Sequence, residues 1–123
     1  MKVAVVGSRS ATLKHYPIIS KYIPLNTTEI ISGGAVGVDF LAEKYAQENN
    51  ITLTKILPNY DKFGKTAALT RNIEIIKRAD YVLCFWDGKS RGTAHVVSNC
   101  IKMYKDVKII LLDDGSILNT IEQ

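Results

Sequence analysis

Four short stretches hold most of the residues able to do chemistry. They are GSRS at 7–10, SGGAVG at 32–37, an Arg71–Asn72 pair, and DGKSRGT at 87–93. Gly7, Ser8 and Arg9 form the first; Ser32, Gly33, Gly34 and Gly37 the second, with Asp39 two residues on. Asp87, Gly88, Ser90, Gly92 and Thr93 belong to the last. Glycines let a backbone approach a ligand closely, and a helix that follows presents unpaired N–H groups and the positive end of its dipole. Hydroxyls donate to phosphate, and an arginine fork grips it with two bonds. The chemistry these residue types favour is binding of a phosphate or another oxyanion.

Each residue also has a plainer reading. Ser8 can donate to phosphate or cap a helix. Asp39 can complement the helix dipole or meet a ribose or base. Arg71 can reach a phosphate or ribose, or pair with Glu74 on a helix surface. Ser90 and Thr93 are both helix caps by type. Asp87 either faces the ligand or serves the Asp-Gly turn. Arg71, Asp39, Asp87 and His95 are the candidates for any catalytic step.

Two familiar motifs do not fit. The dinucleotide fingerprint G-x-G-x-x-G belongs on the first strand-to-helix turn, with an acid ending the next strand. Here the first turn is GSRS. The second aligns only as S-x-G-x-x-G, and KILPN ends the third strand without an acid. A Walker A loop is absent too. Cys84 and Cys100 form no CxxC and lie in apolar surroundings, so they are expected as small buried hydrophobes, with no metal site.

These turns must be held by an alternating scaffold. Short apolar runs at 2–6, 29–32, 51–57, 80–86 and 107–112 are predicted strands. Helical spacing covers 12–23, 37–49, 68–78 and 93–104. The expected buried faces are Phe40, Leu41, Tyr45 and Ala46; then Leu69, Ile73 and Ile76; then Val97, Cys100, Ile101 and Tyr104. The half-polar ITLTKIL suits a strand near a sheet edge, and the continuous YVLCFW a central one. PNYDKFGKT, at 58–66, is a loop of more than usual length, and the tail 113–123 is expected to add a short helix. Strands alternating with crossover helices predict a three-layer, Rossmann-like, doubly wound parallel α/β sheet. About five strands in the order 3-2-1-4-5 would bring the glycine-rich turns to one crevice at their carboxyl ends.

The 123 residues, 46% hydrophobic and 23% charged, suit a single domain. A net charge of +4 favours an anionic partner without separating a nucleotide from a nucleic acid. The start MKVAVVG is too short in apolar residues for a signal peptide, and no apolar run spans a membrane, so a cytoplasmic protein is expected.

Taken in order, VVGSRS, ISGGAVGVDFLAEKYA, TRNIEIIKRAD and FWDGKSRGTAHVV resemble the SLOG superfamily, in particular its small YspA-like branch. That resemblance implies a nucleotide-ligand site, without fixing a reaction. It places Gly7, Ser8, Arg9, Gly33, Gly34, Gly37, Asp39, Arg71, Asn72, Gly92 and Thr93 around the ligand. Relatives include the Lonely-Guy phosphoribohydrolases, the single-strand-binding DNA-processing protein of natural transformation, and sensors of NAD- or ADP-ribose-derived nucleotides. Related domains often form homodimers. In the hydrolases a glutamate stands two residues after the Gly-Thr. Here that residue is His95, and neutral imidazole does not supply a carboxylate's charge beside a cationic ribose. Its plainer place is the polar helix face with Ser98, Asn99 and Lys102.

The expected function is therefore binding or sensing of a nucleotide or nucleotide-derived ligand, with no cofactor required. The alternatives are nucleotide N-glycosidic hydrolysis and single-stranded nucleic-acid binding, the last with Tyr60, Phe63 or Trp86 as stacking faces.

Overall fold

The structure, a computed structural model, describes residues 1–123. Six strands form one sheet in the order β3-β2-β1-β4-β5-β6. In chain order they are β1 (Lys2–Gly7), β2 (Glu29–Ser32), β3 (Thr52–Lys55), β4 (Tyr81–Trp86), β5 (Val107–Leu111) and β6 (Ile117–Ile121). The helices are α1 (Tyr16–Tyr22), α2 (Val38–Glu48), α3 (Tyr60–Phe63), α4 (Ala67–Arg78) and α5 (Arg91–Lys102). The first five strands are parallel, and their order is the one the sequence predicts. TLTK lies at the sheet edge as β3, and VLCF lies buried on both faces within β4.

Side chains alternate across the pleat and divide the core in two. Val3 and Val5 of β1 join Leu83 and Phe85 of β4 under Ile19, Val38, Leu41 and Ala46 from α1 and α2. Ala4 and Val6 join Val82 and Cys84 under Ile75, Ile76, Val96 and Cys100 from α4 and α5. Both cysteines are free and fully buried among apolar side chains.

The structure corrects several expectations. The tail is not a helix: β6 pairs antiparallel with β5, and Gly115, at φ +73°, turns the chain between them. Helix α1 starts only at Tyr16, after a 3₁₀ turn over Leu13–His15, because Pro17 lacks an N–H and is tolerated only in a first turn. The segment 58–66 holds the one-turn α3 and a 3₁₀ turn, Gly64–Thr66. Three helix faces are rotated from their predicted stripes. Phe40 is exposed while Val38, Leu41 and Ala42 are buried. On α4 the buried residues are Ala67, Ile75 and Ile76, with Leu69 exposed. On α5 they are Thr93, Val96 and Cys100, with Ile101 exposed. Tyr104 lies past the end of α5 at φ +55° and is 81% exposed. No helix is long and apolar enough to cross a membrane.

Candidate functional site

The ends of β1 and β4 and the start of α2 meet at Ser8. Its N–H donates to the Phe85 carbonyl at 3.0 Å, and its own carbonyl accepts from Val38 N–H at 3.2 Å. Its hydroxyl accepts from Asp87 N–H at 2.9 Å. Ser8 is fully buried, so it joins three turns and presents nothing to a ligand. Beside it the backbones pack too closely for side chains. A Cβ on Gly7 would lie 2.1 Å from the Phe85 carbonyl oxygen, and one on Gly37 would lie 2.5 Å from that of Ser8. Gly37 also has φ +80°, which favours glycine strongly.

The turn from β2 into α2 builds a polar floor. Ser32 is buried and its hydroxyl accepts from Gly34 N–H at 3.2 Å, which stabilises the turn. Asp39, 7% exposed in the first turn of α2, accepts from Ala35 N–H at 3.1 Å through Oδ2. From α4, Arg71 reaches across and donates Nη1–H to the Gly33 carbonyl at 2.6 Å and Nε–H to Asn72 Oδ1 at 3.0 Å. A Cβ on Gly33 would stand 2.5 Å from that same Nη1, so glycine here leaves room for the guanidinium. Burial pushes the Asp39 carboxyl up to about 6, against the pull of the Ala35 N–H and the Arg71 charge. Arg71 and Asp39 form no ion pair within 4.0 Å; the molecule's three ion pairs lie elsewhere.

The turn from β4 into α5 is built differently. Asp87 Oδ1 accepts from Lys89 N–H at 2.9 Å and Ser90 N–H at 2.8 Å, and Oδ2 accepts from Ser10 Oγ–H at 3.0 Å. These bonds, the Lys89 amide first, hold the carboxyl below its ordinary range. Trp86 Nε1–H donates to the Ser90 carbonyl at 3.0 Å, so the indole secures this turn.

Between the turns lies a cavity of about 400 Å³, at the lower end of the roughly 300–1,000 Å³ range of ligand clefts. It opens at the carboxyl ends of the strands. Of the sequence candidates it gathers Gly7, Arg9, Gly33, Gly34, Asp39, Arg71, Asn72, Ser90, Gly92 and Thr93. Asp39 is the one acid in its lining. Ser8, Ser32 and Gly37 lie beneath it as supports. Asp87 and Gly88 lie outside it, with Asp87 engaged by its own turn. His95 is also outside the lining: its Nε2 lies 3.0 Å from Asn99 Nδ2 on the same helix, and its buried Nδ1 has no partner.

Of one wall, the sequence marks only Tyr60, as a stacking face, and the long segment that carries it. Leu57, Pro58, Tyr60, Ala68 and Leu69 form an apolar side facing the polar floor. The extra length at 58–66 is the signal that marks part of it. Leu57 and Tyr60 line the cavity while 62% and 63% exposed, so both stay accessible to a bound group. No group of three or more His, Cys, Asp or Glu side chains is placed to hold a metal ion.

Comparison with known proteins places this geometry in a lineage. A structure of DNA processing protein A from Streptococcus pneumoniae superposes with a TM-score of 0.76 at 24% sequence identity, over 93% of this chain. The likeness shows a shared Rossmann-like fold. The match covers 53% of that protein, so this chain spans about half its length. No curated protein matches the chain. The sequence profile of DNA recombination-mediator protein A matches residues 1–84, which include β1, β2 and β3, the α2 floor and Arg71. With 84 of its 123 residues matched, the chain belongs to the DNA recombination-mediator protein A family, within the SLOG-type relation its motifs resemble.

Proposed function

We propose that the protein binds one nucleotide unit, free or as part of a nucleotide-derived metabolite, in the cavity at the carboxyl ends of its strands. The observation that carries this reading is the two-sided lining. Arg9, Arg71 and the Gly33–Gly34 turn offer charge and backbone to a polar, anionic group, while Leu57, Pro58, Tyr60 and Leu69 offer an apolar wall to a base. Arg71 has five N–H donors, of which protein acceptors take two. Arg9 is exposed and outside every ion pair, so its fork is open to phosphate. The volume suits one nucleotide better than an extended dinucleotide. The YspA-like branch, with its ligand-binding relatives, belongs to the same proposal.

Thermal-shift screening against nucleoside phosphates, NAD and ADP-ribose tests it, followed by calorimetry on the hits and mass spectrometry of the mixtures. The expected result is a saturable shift and an unchanged ligand. No shift with any of them would sink the reading. Free base in the mixture would instead support the hydrolytic alternative, for which the cavity supplies a single carboxyl, Asp39.

Family membership favours a second reading, in which the bound unit belongs to single-stranded DNA. Tyr60, exposed in the apolar wall, then serves as a stacking face. Affinity would rise with strand length and fall steeply with salt, which mononucleotide binding would do far less.

A further inference from the structure

We infer that Asp39 is a specificity-determining residue that accepts hydrogen bonds from a ribose diol, so that the cavity prefers ribonucleotides to 2′-deoxyribonucleotides. The inference rests on the proposed nucleotide reading and deepens it.

Four observations carry it. Asp39 is nine-tenths buried, yet it forms part of the cavity lining. An ionised carboxylate has about four acceptor positions; the Ala35 amide takes one and the Gly33 amide also bears on the carboxylate, which leaves positions spare for a ligand. No ion pair neutralises it, because Arg71 is directed to the Gly33 carbonyl. Asp39 is also the one acid among the lining residues, so no other carboxylate competes for the same donor groups.

A desolvated carboxylate with spare acceptor positions selects by charge and by donor count. A phosphate set directly against it would meet like charge. Two neighbouring hydroxyls, which donate and carry no charge, match it. The ligand is thereby oriented, with its sugar toward Asp39 and its phosphate toward Arg9 and the first turn of α5 at Gly92 and Thr93. A 2′-deoxy sugar leaves one of those acceptor positions facing the cavity without a donor. Hydrogen bonds to a charged group contribute about 1.5–3 kcal/mol each, roughly a 10- to 150-fold change in affinity.

The charged groups around the carboxyl are Arg71 on α4, Glu43 one turn further along α2, and Lys55 on β3, which pairs with Glu43 at 3.1 Å. Arg9 faces the same cavity. As pH falls through about 6, Asp39 takes up a proton and loses acceptor capacity, so the preference for ribose narrows.

Calorimetric titration with the four ribonucleoside 5′-monophosphates and their 2′-deoxy analogues at pH 7.5 is the direct test, on the wild type and on Asp39→Asn. The asparagine keeps an acceptor for the Ala35 amide and removes the charge. In the wild type the tightest-binding ribonucleotide should exceed its deoxy analogue at least tenfold. In Asp39→Asn that ratio should fall to near one, mainly through loss of ribonucleotide affinity. Equal affinity for the two sugars in the wild type overturns the inference while leaving nucleotide binding intact. A ratio that survives Asp39→Asn overturns it as well, because the discrimination then lies in other residues. If no mononucleotide binds at all, both the inference and the proposed function fall. Should the variant not fold, the wild-type ratio alone still decides whether the site prefers ribose.

Discussion

Two turns of this protein look alike in sequence and behave in opposite ways. The turn from β2 into α2 and the turn from β4 into α5 each combine glycines, a hydroxyl residue and one aspartate. In the first, only the backbone donates to the Asp39 carboxylate, chiefly through Ala35, and burial outweighs that pull and raises its pKa. In the second, Lys89, Ser90 and Ser10 all donate to Asp87, whose carboxyl stays ionised at the surface. An aspartate in such a turn is available to a ligand only where the local chain leaves its acceptor positions open. Glycine follows the same division. At Gly37 a side chain would strike the Ser8 and Arg9 backbone, whereas at Gly88, despite a similar φ of +82°, it would meet open space.

The glycines offer the largest effect with which to break this comparison. Gly37→Ala combines an unfavourable φ with a backbone clash and should destabilise the fold by about 3 kcal/mol or more. Gly88→Ala carries only the conformational term, about 1 kcal/mol. Urea unfolding of both variants decides the matter. Similar losses would show that the two turns are equally constrained.

Asp39→Asn is next in size, and its sign depends on pH. The folded carboxyl titrates near 6 against an ordinary value of 3.8, so between those values the folded state binds more protons than the unfolded one. Wild-type stability therefore declines as pH rises from about 4 to about 6, by a total of about 3 kcal/mol from this group. The asparagine variant lacks that decline and should melt higher than wild type at pH 7. Melting curves from pH 4 to 8 measure it; parallel curves for the two proteins would show that the carboxyl is not held in this state.

The smallest effect should come from Asp87→Ala, with the opposite sign. Its carboxyl is held below the ordinary range, so its stabilisation is present at neutral pH and is lost as pH falls through the lowered value. The variant should be slightly less stable than wild type at pH 7, and the gap should close in acid. A stabilised variant at neutral pH would mean that the turn does not need its aspartate.

Much of the scaffold is visible in the sequence because the hydrophobic pattern is strong where both sheet faces are covered. The runs KVAVV and YVLCFW admit few other readings, and ITLT alternates as an edge strand should. The last strand escapes because ILNTI is mostly exposed, with Ile117 and Leu118 about half accessible, so no buried face shows in its pattern. Its signal lies in DDGS, whose Asp-Gly pair marks a hairpin turn. The lining of the candidate site is legible by residue type but not by depth. Ser8 and Arg9 are neighbours of equally suitable chemistry, yet one is fully buried and the other exposed. Only the close approach of β1, β4 and α2 separates them. The apolar wall escapes for another reason: Leu57 and Leu69 read as ordinary hydrophobes, and what marks them is exposure, which no sequence pattern records.

Ser8 also divides what such a domain is free to alter over evolutionary time. By tying the ends of two adjacent strands to the first residue of a helix, it makes the cavity's width follow from the spacing of the sheet, roughly 4.8 Å per strand. The floor therefore inherits the rigidity of the core. The part of the wall from Leu57 to Tyr60 hangs on a loop and the one-turn α3, while Ala68 and Leu69 stand on α4. Side chains on that loop can be exchanged at little cost, while the polar floor stays as it is.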